Sequence, residues 1–405
     1  MIMARRLPTN KKALLNRAAE HIFSTGLNDG TSHLCLANAK YGLAKMHLIQ
    51  QQHGLAPDAT FITTPDETIS RNIPRWEQGI SYGGKLSWGS GRDKLMMLDV
   101  KPNYCGMLVG GLNYLPKPKS VLRRVYDLEK KASYIHDIQV QWDFYKGNHF
   151  IDVFKVESKE QGLKLPKYAV ILHAGCPELK GDNEKGMGLY WNSSRLLKEM
   201  CTMVKTPFGP SYTLEGHDAV AYYRFCMMAD DFAKRRRELA FRSLFDRGRI
   251  VCNETHQGML NMNEVVLGCQ VFQTGQQLFP VSIRADLPSY LVHGIHSFTP
   301  HQMDMLGFTA RAEEFGVYHR LNRANVLPHG GGYAFLDSLS VEKVFEIKKK
   351  RYFEIELAGG IGKKIISNPK ELQFTYRGRE VLQRTLDIGM AEVAAELRPV
   401  YTIKI

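Results

Sequence analysis

The sequence predicts an α+β fold, a single interwoven domain with mixed and antiparallel sheets. Three observations carry this expectation. Helical periodicity and short β-rich runs alternate along the 405 residues, no repeat period is visible, and no low-complexity linker divides the chain. Apolar residues make up 44% and charged residues 23%, the balance of a folded protein and not of a disordered or fibrous one. Polar motifs of related chemistry lie far apart in sequence, so one fold must gather them.

Taken in order, Lys11 to Phe23 and Ala37 to Gln52 carry apolar residues at helical spacing. Gly79 to Asp93, with Gly79, Gly83, Gly84, Gly89 and Gly91, is glycine-rich and ends just before the next apolar run. Leu95 to Val100 suits a short buried strand, and Pro102 to Tyr104 a turn. Ser120 to Ala132 and the longer Ser211 to Leu244 read as amphipathic helices. Strands are expected at Phe150 to Val156, Lys167 to His173, Glu264 to Thr274, Val344 to Leu357 and Val400 to Ile405, where β-branched and aromatic residues cluster.

Lysine and arginine exceed aspartate and glutamate by 13, which favours a polyanionic partner such as nucleic acid. The run Arg235, Arg236, Arg237, followed by Arg242, is open to two readings: a solvated helix face, or a face that pairs with phosphates. No apolar run approaches the roughly 18 residues of a bilayer span. Met1 to Asn16 lacks the apolar core of a secretory signal, so the expected location is the cytoplasm. The seven cysteines (Cys35, Cys105, Cys176, Cys201, Cys226, Cys252, Cys269) form no CxxC pair, which argues against a disulfide scaffold or a zinc ribbon.

Of the 14 histidines, His21 and His47 sit inside helical stretches and read as structural. His149, His173, His256 and His329 each end or follow an expected strand. Strand ends bring distant side chains to one rim, and imidazole nitrogen suits zinc, manganese, iron or nickel. Cys105 could add a thiolate. Any one of these residues alone reads more readily as structural than as functional; their combination and order point to a site.

That combination resembles the RtcB family of RNA-splicing ligases. The family's glycine-cysteine-glycine-methionine element is similar to Tyr104-Cys105-Gly106-Met107, and its GNHF element to Gly147-Asn148-His149-Phe150-Ile151-Asp152. Its HSG element is similar to His173-Ala174-Gly175, its later metal-binding histidine to Thr255-His256, and its nucleophile loop to His329-Gly330-Gly331-Gly332. The family's C-terminal end resembles Leu397 to Lys404. The likeness runs from about residue 95 to the C-terminus, with residues 1–94 a diverged part of the same domain.

The resemblance implies an RtcB-like domain with a metal-containing central cleft and a GTP- and Mn2+-dependent RNA ligase. Such an enzyme joins an RNA 3′-phosphate or 2′,3′-cyclic phosphate to a 5′-hydroxyl through a histidine-GMP intermediate. It further implies Cys105, His149, His173 and His256 as metal ligands and His329 as nucleophile. Asn148, Asp152, Ser282, Gly330, Gly331 and Lys404 then contact the nucleotide. Asp152 stands where the family carries glutamate, and Pro102 where it carries the second metal's aspartate, so that the second site would borrow Asp99 or Asn103, use water, or stay empty. Two family arginines are replaced by Cys176-Pro177 and Tyr333; Arg195, Arg224, Arg320 or Arg323 could substitute for phosphate binding from another direction. Zinc or iron would also fit the thiolate and imidazole set. Two alternatives stay open: a single-metal phosphohydrolase or nucleotidyl-transfer relative, and a non-catalytic RNA-binding paralogue.

Overall fold

His256 is the single residue between two strands that belong to different sheets. Arg249–Thr255 lies at the edge of a seven-stranded sheet, and Gln257–Asn261 at the edge of a five-stranded one. The structure, a computed structural model, describes residues 7–144 and 147–404. Met1 to Arg6 of the N-terminal reading and Ile405 of the last expected strand lie outside them.

The larger sheet is antiparallel throughout. From Arg249–Thr255 it continues with Gly106–Leu112, Tyr168–Ala174, Phe150–Lys159, Ala391–Ile403, Ser289–Gly294 and Leu278–Val281. Its register opposes Thr255 to Gly106, Gly106 to Ala174, and His173 to both Met107 and Phe150. The residues next to Cys105, His149 and His256 therefore stand level with His173 at one end of four adjacent strands. The smaller sheet runs Ile22–Phe23, Thr60–Ile69, Ser81–Ser87, Glu264–Leu267 and Gln257–Asn261, and only its first pair is parallel. The strand Ser81–Ser87 of the diverged N-terminal part thus pairs directly with Glu264–Leu267.

Local chemistry explains where the expected elements shift. The first helix, Lys11–Glu20, is capped by the Asn10 side chain, and Gly30–Gln52 starts earlier than its apolar period indicates because Asp29 caps it. The glycine-rich segment holds the strand Ser81–Ser87. A Cβ at Gly83 would lie 2.5 Å from Glu67 Cα, and one at Gly84 2.5 Å from the Ile62 carbonyl, so glycine admits a closely approaching neighbour strand. Glu264 to Thr274 breaks at Gly268, whose φ is +66°, into Glu264–Leu267 and Cys269–Val271. Val344 to Leu357 is the turn and second strand of a hairpin, Ser338–Ile347 with Lys350–Leu357.

The long helix is Gly216–Leu244; the residues before it form the strand Gly209–Glu215. It lies on the larger sheet with Phe225, Phe232 and Phe241 in one apolar core. Arg236 and Arg237, both 0% exposed, also face that core, which overturns both surface readings of these two residues. Arg236 pairs with Asp143 at 2.7 Å and Glu178 at 3.0 Å, and Arg237 donates to Asn253 Oδ1 at 2.7 Å. Arg235 alone of the triplet stays at the surface, on Asp231 at 2.7 Å. No helix among the described residues is long and apolar enough to cross a membrane.

His21 and His47 are structural, as expected of them, and they make stability depend on pH. Both are buried, with ring centroids 4.5 Å apart. His47 Nε2 lies 2.8 Å from the Ala59 carbonyl, while neither His21 nitrogen has a hydrogen-bond partner among the described residues. Burial pushes the His47 pKa down to about 4, aided by the charges of Arg17 and Arg320 and opposed by the Ala59 carbonyl and Asp58. His21 is lowered further, by burial first and then by His47. Below the ordinary histidine pKa the unfolded chain takes up protons that the folded chain refuses, so stability falls with acidification; for His47 alone the loss is about 2 kcal/mol between roughly pH 6.5 and 5. Urea unfolding across that interval should show a shallower pH dependence in His47→Gln, which keeps a donor for Ala59. An unchanged slope would assign the acid sensitivity elsewhere.

Candidate metal centre

Each functional side chain is placed by the end of a strand. Cys105 precedes Gly106–Leu112, His173 lies within Tyr168–Ala174, and His256 is the crossover between the two sheets. His256 N donates to the Cys105 carbonyl at 3.0 Å, and its own carbonyl accepts from Gly268 N at 2.8 Å and Cys269 N at 3.1 Å. Gly106 is required beside the cysteine: a Cβ there would come 2.5 Å from the Glu254 carbonyl and 2.7 Å from the Arg237 guanidinium carbon.

One ligand atom each from Cys105, His173 and His256 falls within 4.8 Å of the others, and all three residues are buried. Cys105 Sγ is 2.9 Å from His173 Nε2, and His173 Nε2 is 3.2 Å from His256 Nε2. His149 stands beside this group, with Nε2 3.4 Å from Sγ, but does not join the mutual cluster. Of the four expected ligands, three therefore converge fully and the fourth flanks them.

The surroundings orient the rings. His173 Nδ1 lies 3.0 Å from the Asn148 carbonyl, which can only accept, so the proton belongs on Nδ1 and the lone pair on Nε2. His149 Nδ1 lies 2.8 Å from Asp143 Oδ2, and Asp143 is held in turn by Arg236. Burial alone would raise the Cys105 pKa, yet the imidazoles of His173 and His149 outweigh it and hold the thiol well below its usual range. Burial, then the charge of His329, lowers the His256 pKa to about 3, so this ring stays neutral. A thiolate and convergent imidazole nitrogens make a donor set that fits a divalent metal ion.

Beside this cluster opens a cavity of about 490 Å³. His329, which follows the strand Val326–Pro328, lines it with its ring centroid 4.5 Å from that of His256. Its Nδ1 lies 2.7 Å from Asp66 Oδ2, an oxygen that also accepts the backbone N–H of His329 at 3.1 Å and of Gly330 at 3.2 Å. Asp66 is 0% exposed and sits where Thr60–Ile69 slips register between Thr63 and Thr68. Gly332 has φ +65°, and a Cβ there would lie 2.3 Å from the Asp66 carbonyl, so the glycine lets the loop close on this strand. Burial opposes protonation of His329, but the hydrogen bond and charge of Asp66 raise its pKa overall.

Asn148, Asp152, Ser282, Gly330, Gly331 and Lys404 all line the same cavity. Lys404 Nζ donates to the Gly147 carbonyl at 2.6 Å. Burial lifts the Asp152 pKa to about 7 against the pull of Thr402 and Lys404, and Asp152 Oδ1 has no partner among the described residues. Other expectations fail. Asp99 is buried against Lys45 and Ser211 and is not free to replace the missing carboxylate, whereas Asn103, whose Oδ1 accepts the Cys105 N–H at 3.0 Å, lines the cavity. Arg195, Arg224, Arg320 and Arg323 do not line the cavity; Arg320 is engaged with Asp58 at 2.8 Å. Arg71, Arg75 and Arg284 line it instead.

Fold and site together define a mixed α+β protein with several sheets and a buried cysteine-histidine group able to hold a metal ion. No known family model and no curated protein sequence matches the chain.

Proposed function

We propose that this chain is a divergent RNA ligase of the RtcB type, in which His329 takes GMP from GTP. One observation carries the reading: Asp66 holds His329 Nδ1, which leaves the Nε2 lone pair available in the cavity shared with the cysteine-histidine group. Attack of Nε2 on the α-phosphorus forms a nitrogen-phosphorus bond and expels pyrophosphate. An RNA 3′-phosphate oxygen then attacks the same phosphorus, the bond to nitrogen breaks, and a 5′-hydroxyl finally displaces GMP. Cys105, His173 and His256, flanked by His149, would hold a divalent ion, Mn2+ by resemblance, which when bound supplies neutralisation of phosphate charge. Asp152 and Lys404 offer an acceptor and a donor to a nucleobase, and the amides of Gly330 and Gly331 can approach phosphate oxygens closely.

A second reading, a single-metal phosphohydrolase, is favoured by one feature. Pro102 offers no ligand and Asp99 is sequestered, so the described residues provide one metal position and no carboxylate for another.

Incubating the metal-loaded chain with α-labelled GTP separates the two. Ligase chemistry gives a label that survives denaturing electrophoresis, is labile to acid and stable to alkali, and maps to the peptide containing His329. A metal-loaded chain that takes no label but releases phosphate from an RNA 3′-phosphate is a hydrolase.

A further inference from the structure

Two cations in the cavity wall have no carboxylate partner among the described residues. Of the arginines that line it, Arg284 is neutralised by Asp286 at 2.6 Å. Arg75 is 5% exposed, and its guanidinium meets only neutral oxygens, the Lys101 carbonyl and the Tyr190 hydroxyl. Its Nε is buried with no partner. Arg71 lies flat on Phe374, with Cζ 3.9 Å from the ring centroid, and its Nε is likewise buried without a partner. Among the described residues neither arginine has a carboxylate within ion-pair distance. A buried guanidinium left without an anion is costly, and its planar fork matches two oxygens of one tetrahedral oxyanion.

Beside Arg71 stands an aromatic shelf. Tyr333 and Tyr376 both line the cavity, with ring centroids 5.4 Å apart, and Phe374 packs edge-on against each. Two positive charges lining one cavity and an aromatic face beside them suit a phosphate on a nucleotide end, the charges taking the dianion and the shelf a base.

We infer that Arg71 and Arg75 form a subsite for a terminal phosphate monoester carried on a single-stranded nucleic acid. This wall comes from the segment around Thr68 to Arg75, in the part of the sequence where the family likeness ends, and it replaces the phosphate-binding arginines missing after His173 and His329. The inference rests on these uncompensated charges; it extends the ligase reading by naming where the second substrate is held, yet binding can be measured without nucleotidyl transfer.

The test is fluorescence anisotropy with an eight-nucleotide single-stranded RNA bearing a 3′-phosphate and the same RNA ending in a 3′-hydroxyl, without GTP. The native chain should bind the phosphorylated probe about tenfold tighter or more, the value of one charge-assisted contact. Arg71→Gln, at a half-buried position, should lose most of that preference while its affinity for the hydroxyl probe changes little. Arg75→Lys, which keeps charge but not the fork, should weaken it as well. Inorganic phosphate should compete for the extra affinity of the native chain and not for the residual binding of Arg71→Gln. Equal affinities for the two probes, or a preference that survives both substitutions, would overturn the subsite. A GTP-labelling failure alongside an intact phosphate preference would remove the ligase reading and leave the subsite standing.

Discussion

His329→Ala abolishes GTP labelling, and Asp66→Asn reduces its rate by about 10²- to 10⁴-fold, the scale on which a carboxylate that orients a catalytic histidine acts. The alanine variant removes the only attacking atom. In the asparagine variant the attacking atom remains, so its loss measures what the carboxylate adds. All three donors on Asp66 Oδ2, the His329 ring, the His329 N–H and the Gly330 N–H, converge on one oxygen, and Oδ1 is held by Thr64 Oγ1 at 2.6 Å. Asparagine fits this space but brings no charge, so the ring loses its partner when the new bond makes it cationic. The pH profile separates this from a folding defect. Asp66 raises the His329 pKa, and attack requires the unprotonated ring, so the native rate falls with acidification from above the ordinary histidine value. In Asp66→Asn that acid limb moves to lower pH. An Asp66→Asn chain with native rate and an unmoved limb would show that His329 acts without this carboxylate.

Asp66 also marks the limit of what the sequence discloses. The expected strands at Phe150, Lys167 and Glu264 were legible because β-branched and aromatic runs are local, and Cys105, His149, His173, His256 and His329 because strand-end histidines beside glycines stand out. Thr64-Pro65-Asp66-Glu67 carried a weaker signal, an acid and a proline inside an otherwise buried run, and the proline sits at the register slip that turns the acid toward His329. Pairing with a loop more than 260 positions away is tertiary information. Charge misled in the same way. Arg236 reads like its neighbour Arg235 until Asp143 and Glu178 arrive from another part of the chain to enclose it. Its function is then structural and indirect: it fixes Asp143, which meets His149, which flanks Cys105.

Cys105→Ser removes the bound metal. Sulfur is the one charged donor in the cluster, since the imidazoles reaching it are neutral when they ligate, and a serine hydroxyl does not ionise to replace it. The expected loss is at least about 100-fold in affinity, because outer-shell changes alone typically cost 10- to 100-fold and this one strikes the ligand itself. Elemental analysis of the purified chain, followed by competition with a chromophoric chelator, reads it. Cys226→Ser provides the comparison: Cys226 is equally buried, but burial pushes its thiol up to about 12 despite hydrogen bonds with Tyr104 and Tyr222, and no histidine approaches it, so that variant should keep its metal. Asp143→Asn should fall between the two, weakening metal through the orientation of His149 and not through a lost donor. If Cys105→Ser retains stoichiometric metal, the ion sits elsewhere; if Asp143→Asn binds as tightly as the native chain, His149 is a neighbour of the centre and not one of its ligands.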